Sequence, residues 1–235
     1  MSDPAISLAF FDPEHGLYGT AREGATVLFG EDGANVLPSG PKVEPDGDGW
    51  RAALDGTFEL ELKPVAEPAG LGGVDAHLCE VTGKVGSAKV SCLGTVGETH
   101  KPPAWDALDA LRSISAAFDR QNAVLALARR PRGVPGHGFE KVSAWLLREG
   151  EPYAVEDARV STVYDGEGRQ RGAGLELWMP GEEFPRRTNG TVVAGSSLQL
   201  EGLSVHVAFV RWRMEDREGA GAYELWVRPE PPAAA

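Results

Sequence analysis

The chain has 235 residues, with 23 basic against 35 acidic side chains and a net charge of −12. This balance argues against nucleic acids and anionic membranes as partners, because both require a basic face. No stretch approaches the roughly 20 apolar residues of a membrane helix, and the N-terminus lacks the basic lead and apolar run of a secretion signal. We therefore expect a cytoplasmic protein without a membrane span.

The first half reads as short strands separated by turns. Glycine (30) and proline (17) make up about a fifth of the chain, a composition typical of turns between many strands. Apolar and charged residues alternate over Thr57–Leu62 with the period of a strand that has one wet face. The predicted strands of this half are 5–11, 25–29, 57–62, 77–82 and 89–96, and the polar segment 31–49 is a predicted loop.

Cys79 and Cys92 lie on the two arms of the last predicted hairpin of this half. Their spacing matches no metal or redox motif. A disulfide is geometrically conceivable, but two buried free thiols are favoured for a cytoplasmic protein.

The stretch from Gly94 to Arg112 separates the two strand-rich halves and concentrates polar chemistry. It carries Glu98, His100, Trp105 and Asp106. Pro102 and Pro103 cannot donate to a strand ladder, so the stretch is a predicted loop and the favoured place for a functional site. Apolar spacings of three and four after residue 105 leave two alternatives, a short helix over 103–112 or a loop running into a strand over 111–118.

The second half again predicts strands, over 122–129, 140–147, 155–164, 172–179, 203–215 and 221–228. The whole chain is therefore predicted to be all-β, with little helix. Strand-rich halves on either side of the central loop favour two curved sheets or barrels packed together. We expect an N-terminal domain at 1–110 and a C-terminal domain at 111–235.

A series of short motifs runs from the central loop to the end of the chain. The loop has the pattern Gly-x-x-Gly-Glu-x-His, with Trp105 and Arg112 after it. The remaining motifs are Arg130-Pro131, His137-Gly138-Phe139-Glu140, Val155–Thr162, Gly174–Leu177 and Gly219-x-Gly221-x-Tyr223-Glu224. In order and spacing, roughly residues 75–228 resemble the tandem lipocalin-like (calycin) family. This family includes carotenoid 1,2-hydratase, AttH-type proteins and lipocalin-like Diels–Alderases.

The resemblance implies two calycin-type β-barrels side by side, with a largely apolar ligand cavity at or between them. The expected function is to bind a small hydrophobic molecule of isoprenoid or polyketide type. The expected chemistry, if any, is cofactor-independent hydration, isomerisation or cyclisation. The resemblance places the proton-donating acid of a hydratase at Asp106, beside Trp105.

Protonation of an alkene needs a carboxylic acid whose pKa is raised by an apolar pocket, so Asp106 and its neighbour Glu98 are the candidate catalytic residues. The competing interpretation of both is a solvated loop charge. The residues expected to contact the ligand are His100, Trp105, His137, Glu140, Glu176 and His206.

Several alternatives stay open. The histidines lack the close spacing of metal ligands, so no metal site and no cofactor are predicted. Glu176 and Glu224 each share a strand face with a tryptophan; if buried, each needs an arginine partner, for which Arg112, Arg159, Arg211 and Arg213 are available. A non-catalytic carrier or sensor, or an interaction protein with filled barrels, competes with the enzyme, and either a monomer or a homodimer is expected.

Overall fold

The computed structural model describes residues 3–134 and 137–228, and these residues form two antiparallel sheets. Each sheet is curved into a half-barrel. The all-β prediction, with two curved sheets, is confirmed. The helical structure in the described residues is a single 3₁₀ turn, His137–Phe139. No helix within these residues has the length and apolar character needed to cross a membrane.

The first sheet contains ten strands. They are β1 Ala5–Asp12, β2 Leu17–Arg22, β3 Ala25–Gly30, β4 Gly33–Leu37, β5 Lys42–Asp46, β6 Gly49–Leu54, β7 Phe58–Pro64, β8 Ala69–Gly70, β9 Val74–Val85 and β10 Ala88–Thr99. Their order across the sheet is β4-β3-β2-β1-β10-β9-β7-β6-β5, and the short β8 pairs with β9.

The second sheet contains nine strands. They are β11 Leu108–Asp119, β12 Asn122–Pro131, β13 Lys141–Arg148, β14 Glu151–Ala154, β15 Asp157–Tyr164, β16 Gln170–Trp178, β17 Arg186–Leu200, β18 Leu203–Met214 and β19 Arg217–Val227. Their order is β14-β13-β12-β11-β19-β18-β17-β16-β15.

The two sheets repeat one topology. In each, a four-stranded meander is followed by a second meander whose last strand returns to pair with the first strand of the half. The returning pairs are β1 with β10 and β11 with β19. The loop 100–107 joins the halves. The predicted division at residues 110 and 111 stays a prediction, because sheet membership does not test independent folding.

Period-two alternation along the central strands separates three layers of apolar packing. On β1, Leu8 and Phe10 face the interior of the first half, while Ala9 and Phe11 face the second sheet. On β19, Tyr223 and Leu225 face the interior of the second half, and Trp226 faces the first sheet. Side chains fill both half-barrel interiors, and the two sheets are joined by a shared apolar layer between their outer faces.

The two alternatives for the region after the central loop are resolved in favour of the strand. Residues 103–107 are loop and turn, and β11 begins at Leu108. The spacing that suited a helix arises because Leu111 faces the other sheet while Ile114 faces the half-barrel interior, so both faces of the strand are covered.

Sequence patterns missed six strands, β2, β4, β5, β6, β8 and β14, and also the longest one, β17. Ser196 and Ser197, residue types common in turns, lie inside β17 opposite Val207 and His206 of β18. The predicted loop at 31–49 contains β4 and β5, which are short and exposed edge strands.

Both cysteines are free thiols, and burial raises the pKa of each to about 12. We expect neither thiol to react with a thiol-specific reagent at pH 8, because only about one in ten thousand is ionised at that pH. Counting modified thiols by mass spectrometry, in native buffer and in guanidinium chloride, tests this. Reaction of Cys92 in the native protein would contradict it; both should react once the chain is unfolded.

Candidate functional site

A cavity of about 120 Å³ lies between the outer faces of the two sheets. The pair β1 and β10 lines the cavity on one side, and the pair β11 and β19 lines it on the other. Their contribution is mostly small side chains, namely Ser7, Ala9, Thr95, Gly97, Ser113, Ser115 and Ala222. Small residues at facing positions leave the space between the sheets unfilled, and the exposed Ser113 marks where solvent reaches it. Part of this inter-sheet cavity is lined by Glu224 and part by leucines.

Glu224 gives the cavity a buried charge, since its side chain is only 9% exposed. Thr20 donates to its Oε1 at 2.5 Å, Trp226 Nε1 donates to its Oε2 at 3.2 Å, and Arg22 forms an ion pair with the same Oε2. Burial raises the pKa of Glu224, but Arg22 and the hydrogen bonds outweigh it and hold the pKa below its usual value. The group is therefore a carboxylate at neutral pH.

Arg22 is fixed by two different contacts. Its guanidinium carbon lies 4.4 Å from the centre of the Trp226 ring, within the range of a cation–π interaction. The same side chain pairs with Glu224 from the opposite sheet. The polar side of the cavity thus joins β2 to β19 across the interface.

The opposite side of the cavity is apolar. Leu125 and Leu127 of β12 pack against Ala69 and Leu71 of the first half, and Val74 borders the same cluster. Arg129 Nη2 donates to the main-chain oxygens of Leu71 and Gly72, at 3.3 and 2.7 Å, and holds β12 against this segment. The cavity is therefore polar where β2 meets β19 and apolar where β8 and β9 meet β12.

The central loop reaches this site through Trp105. The Trp105 ring lies 6.4 Å from that of Trp226 and joins the apolar layer between the sheets. The main-chain nitrogens of His100 and Lys101 donate to the oxygen of Gly73, at 3.0 and 3.2 Å, which ties the loop to the start of β9.

Two solved structures share this architecture. Kievitone hydratase from Nectria haematococca matches with a TM-score of 0.63 at 10% identity, over 96% of this chain and 89% of that one. An AttH-like protein from Nitrosomonas europaea matches with a TM-score of 0.60 at 12% identity, over 95% of this chain and 92% of the other. The chain has the tandem lipocalin-like fold. No family model matches the sequence, and no curated protein is similar to it.

The resemblance of the second half to tandem lipocalin-like proteins is thereby confirmed as a likeness of fold, and it extends over nearly the whole chain. At this level of identity the comparison carries the strand arrangement alone. Residue roles in this tandem lipocalin-like chain must come from its own geometry.

The structure brings neither candidate catalytic residue into the inter-sheet cavity. Asp106 is exposed in the turn before β11, and its main-chain oxygen accepts from Arg132 at 3.3 Å. Glu98 follows Gly97 on β10 and so faces the opposite side of the strand, where it lies 3.1 Å from Nε2 of His77. Their catalytic roles stay predictions, and the carboxylate of the cavity is Glu224.

The predicted ligand-binding histidines are separated from one another. His100 is exposed and lies 3.0 Å from Asp75. His206 on β18 lies 2.7 Å from the Ser197 hydroxyl; burial, followed by the charge of Arg169, lowers its pKa. The side chain of His137 lies outside the described residues. Within the described residues, no group of three or more histidine, cysteine or acidic side chains could hold a metal ion.

Glu140 belongs to a buried polar cluster inside the second half-barrel. Arg112 on β11 is fully buried and pairs with both carboxylate oxygens of Glu140. Its Nη1 also donates to Thr162 at 2.9 Å and to the Tyr223 hydroxyl at 3.2 Å, and these two hydroxyls are 2.6 Å apart. Burial raises the pKa of Tyr223 far above its usual value, so the phenol stays protonated.

This cluster links β15, at one margin of the second sheet, and the residue before β13 to the central strands β11 and β19. Burial opposes the charge of Arg112, but Tyr223, Glu140 and Tyr164 raise its pKa above the ordinary value. Each charged or hydroxyl group named has a partner, as a buried polar network requires.

Glu140 and Glu176 also border a second depression, a groove of about 740 Å³ at β15, the margin of the second sheet. Glu176 pairs with Arg187 at 2.9 Å on the outer face of the sheet. Exposed charged residues such as Asp157 and Arg159 line much of this groove. Its lining is more polar than apolar, unlike that of the inter-sheet cavity, whereas ligand sites are typically lined by apolar residues with a few polar groups.

The arginine partner expected for a buried Glu224 was wrong, whereas Glu176 is only half-buried, so the condition for a buried pair is not met there. Glu176 pairs with Arg187, and Glu224 pairs with Arg22, which is 202 residues away. Thr20 and Arg22 were missed because β2 was not recognised. For Glu224 itself the sequence did offer a signal. Trp226 follows two residues later, a spacing that places both side chains on one strand face.

Proposed function

We propose that this protein binds a small, mainly hydrophobic molecule in the inter-sheet cavity. The observation that carries the proposal is the make-up of that cavity: an ionised carboxylate, Glu224, on one side and the apolar residues Leu71, Leu125 and Leu127 on the other. Ligand sites are typically apolar with a few placed polar groups, and they occur preferentially between packed units.

Size sets the ligand class. A cavity of roughly 150 Å³ holds benzene, so about 120 Å³ suits one ring or a short branched hydrocarbon segment. A larger isoprenoid or polyketide would place only one part between the sheets and extend past Ser113 into solvent. Buried apolar side chains pack both half-barrel interiors, whereas the space between the sheets combines a polar and an apolar side, which favours it as the ligand site.

A catalytic version of this function has a defined chemical character. Acid-initiated hydration needs a protonated acid in the pocket, whereas Glu224 is held ionised. An ionised carboxylate can accept a proton from a ligand, but the lowered pKa of Glu224 and its ion pair with Arg22 make it a weak base and offset its charge. The cavity therefore supports carriage of an unchanged ligand better than a reaction, with non-redox isomerisation or cyclisation as the competing function.

Native mass spectrometry of freshly purified protein, followed by organic extraction, tests the binding proposal. Toluene added to the extracted protein serves as a defined probe, observed by NMR. We expect a bound apolar molecule in the wild type and its loss in Ser113→Leu, where the larger side chain occupies the mouth of the cavity. The control is Ser161→Leu on the exposed face of β15, which should bind like the wild type.

Equal binding of the extracted molecule and of toluene by both variants would place the ligand elsewhere and refute the cavity assignment. Failure of the wild type to retain any molecule or to bind toluene would refute the function itself.

A further inference from the structure

The inter-sheet cavity has no net charge available to a ligand, because the charges of Glu224 and Arg22 compensate each other. They belong to opposite sheets and are in direct contact. A ligand carboxylate would be repelled by Glu224, and a ligand ammonium by Arg22. In a site of low dielectric such an unpaired charge is costly. The cavity therefore favours a neutral ligand.

The hydrogen bonds of Glu224 are distributed unequally between its two oxygens. Oε2 accepts from Arg22 and from Trp226, whereas Oε1 accepts from Thr20. A carboxylate oxygen has two lone-pair positions. Oε1 therefore has one acceptor position left for a donor that enters the cavity.

The hydroxyl of Ser115, unlike Glu224 Oε1, has its hydrogen bonds taken up by the main chain. Ser115 is engaged by the main chain, since its hydroxyl accepts from the nitrogen of Ala222 at 3.0 Å and donates to the oxygen of Ala222 at 3.4 Å. It bridges the place where the β11–β19 ladder is interrupted. Glu224 is thus the strongest acceptor that the cavity offers to a ligand.

The two halves place unlike residues at matching positions, and this gives the cavity its polarity. Ser7 pairs with Gly97 and with Arg22 in the first sheet, and Ser113 pairs with Glu224 and with Leu127 in the second. If Ser7 and Ser113 are taken as equivalent positions of the two halves, then Gly97 is equivalent to Glu224, and Arg22 is equivalent to Leu127. Polar groups thus collect at one side and hydrocarbon at the other.

From these observations we infer that the ligand is a neutral amphipathic molecule, such as a phenol or an apolar alcohol, whose hydroxyl donates to Glu224 Oε1. Its hydrocarbon part lies against Leu71, Leu125 and Leu127. The inference rests on the proposed function and specifies its substrate class.

Four probes of similar size test it: phenol, toluene, benzoate and benzylamine, each titrated into the wild type by NMR or calorimetry at pH 7. We expect phenol to bind about tenfold more tightly than toluene, as suits a hydrogen bond to a charged acceptor. Benzoate and benzylammonium should bind more weakly than toluene. In Glu224→Gln the preference for phenol should fall to about twofold.

A second variant keeps the test decisive where Glu224→Gln does not fold. Thr20→Val preserves the shape of the side chain and the ion pair with Arg22, and it frees a second acceptor position on Oε1. The ratio of phenol to toluene affinity should then stay at tenfold or rise.

Toluene binding as tightly as phenol in the wild type would overturn the inference and leave the proposed function standing. An unchanged ratio in Glu224→Gln, or a fall in the ratio in Thr20→Val, would do the same. Absence of binding by all four probes would refute the proposed function and the inference together.

Discussion

Replacing Arg112 by methionine should lower the free energy of unfolding by about 3–5 kcal/mol, the usual cost of removing one partner from a buried ion pair. The guanidinium of Arg112 is fully buried and holds Glu140, Thr162 and the Tyr223 hydroxyl. Its loss removes the Arg112 guanidinium from the carboxylate of Glu140, whose side chain is 2% exposed. Urea unfolding followed by tryptophan fluorescence measures the effect.

The double variant Arg112→Met/Glu140→Gln should be more stable than Arg112→Met alone, because it also removes the buried carboxylate charge that Arg112 neutralised. Arg159→Met is the matched control: Arg159 is exposed, lies over the Trp178 ring at 4.7 Å, and should cost less than about 1 kcal/mol. An Arg112→Met protein within about 1 kcal/mol of the wild type would show that the cluster contributes little to stability.

Replacing Glu224 by glutamine should destabilise the protein by about 2 kcal/mol at pH 7, and the loss should depend on pH. Glu224 has a lowered pKa in the folded protein, so its carboxylate stabilises the fold above the pKa of the unfolded chain, near 4.5. That contribution is lost as the pH falls through the lower folded pKa. The difference between wild type and variant should therefore be constant above about pH 6 and shrink toward pH 3.

Unfolding in urea at a series of pH values measures this difference. Asp106→Asn, which changes an exposed carboxylate in the connecting loop, is the control and should leave stability nearly unchanged. A stability difference for Glu224→Gln that stays constant from pH 7 to pH 3 would show that the carboxylate gains nothing from its ionised form.

Local patterns predicted the elements that have local causes. The alternation over Thr57–Leu62 and the turn glycines of the hairpins gave β7 and the β9–β10 pair, because one wet face and a tight turn are readable in a few residues. The two-sheet arrangement was predicted from the strand-rich halves on either side of the central loop.

Strand β17 could not be predicted, because its cause is not local. The strand contains several residues typical of turns, namely Gly190, Gly195, Ser196 and Ser197. Nevertheless β17 pairs along almost the whole of β18. Gly190 is needed because a Cβ there would lie 2.6 Å from the ring of Trp212. Only the partner strand explains these residues.

The site was out of reach of sequence patterns for the same reason. Residue types drew attention to the loop carrying Asp106, whereas the buried carboxylate of the cavity depends on Arg22 and Thr20, about 200 residues before Glu224 in the chain. Period-two alternation tells which residues share a strand face. It does not tell which face of a second sheet will cover them.

The pairing of unlike residues at Gly97 and Glu224 has a consequence for how such a cavity can change. In a symmetric dimer of identical half-chains, every substitution occurs twice, so two carboxylates or two glycines would face the shared axis. In this chain both halves belong to one polypeptide, so each position can vary independently. Because the eight residues 100–107 join the halves covalently, a single substitution can change one side of the pocket and leave the other side unchanged. A pocket with one polar and one apolar side can arise in this way.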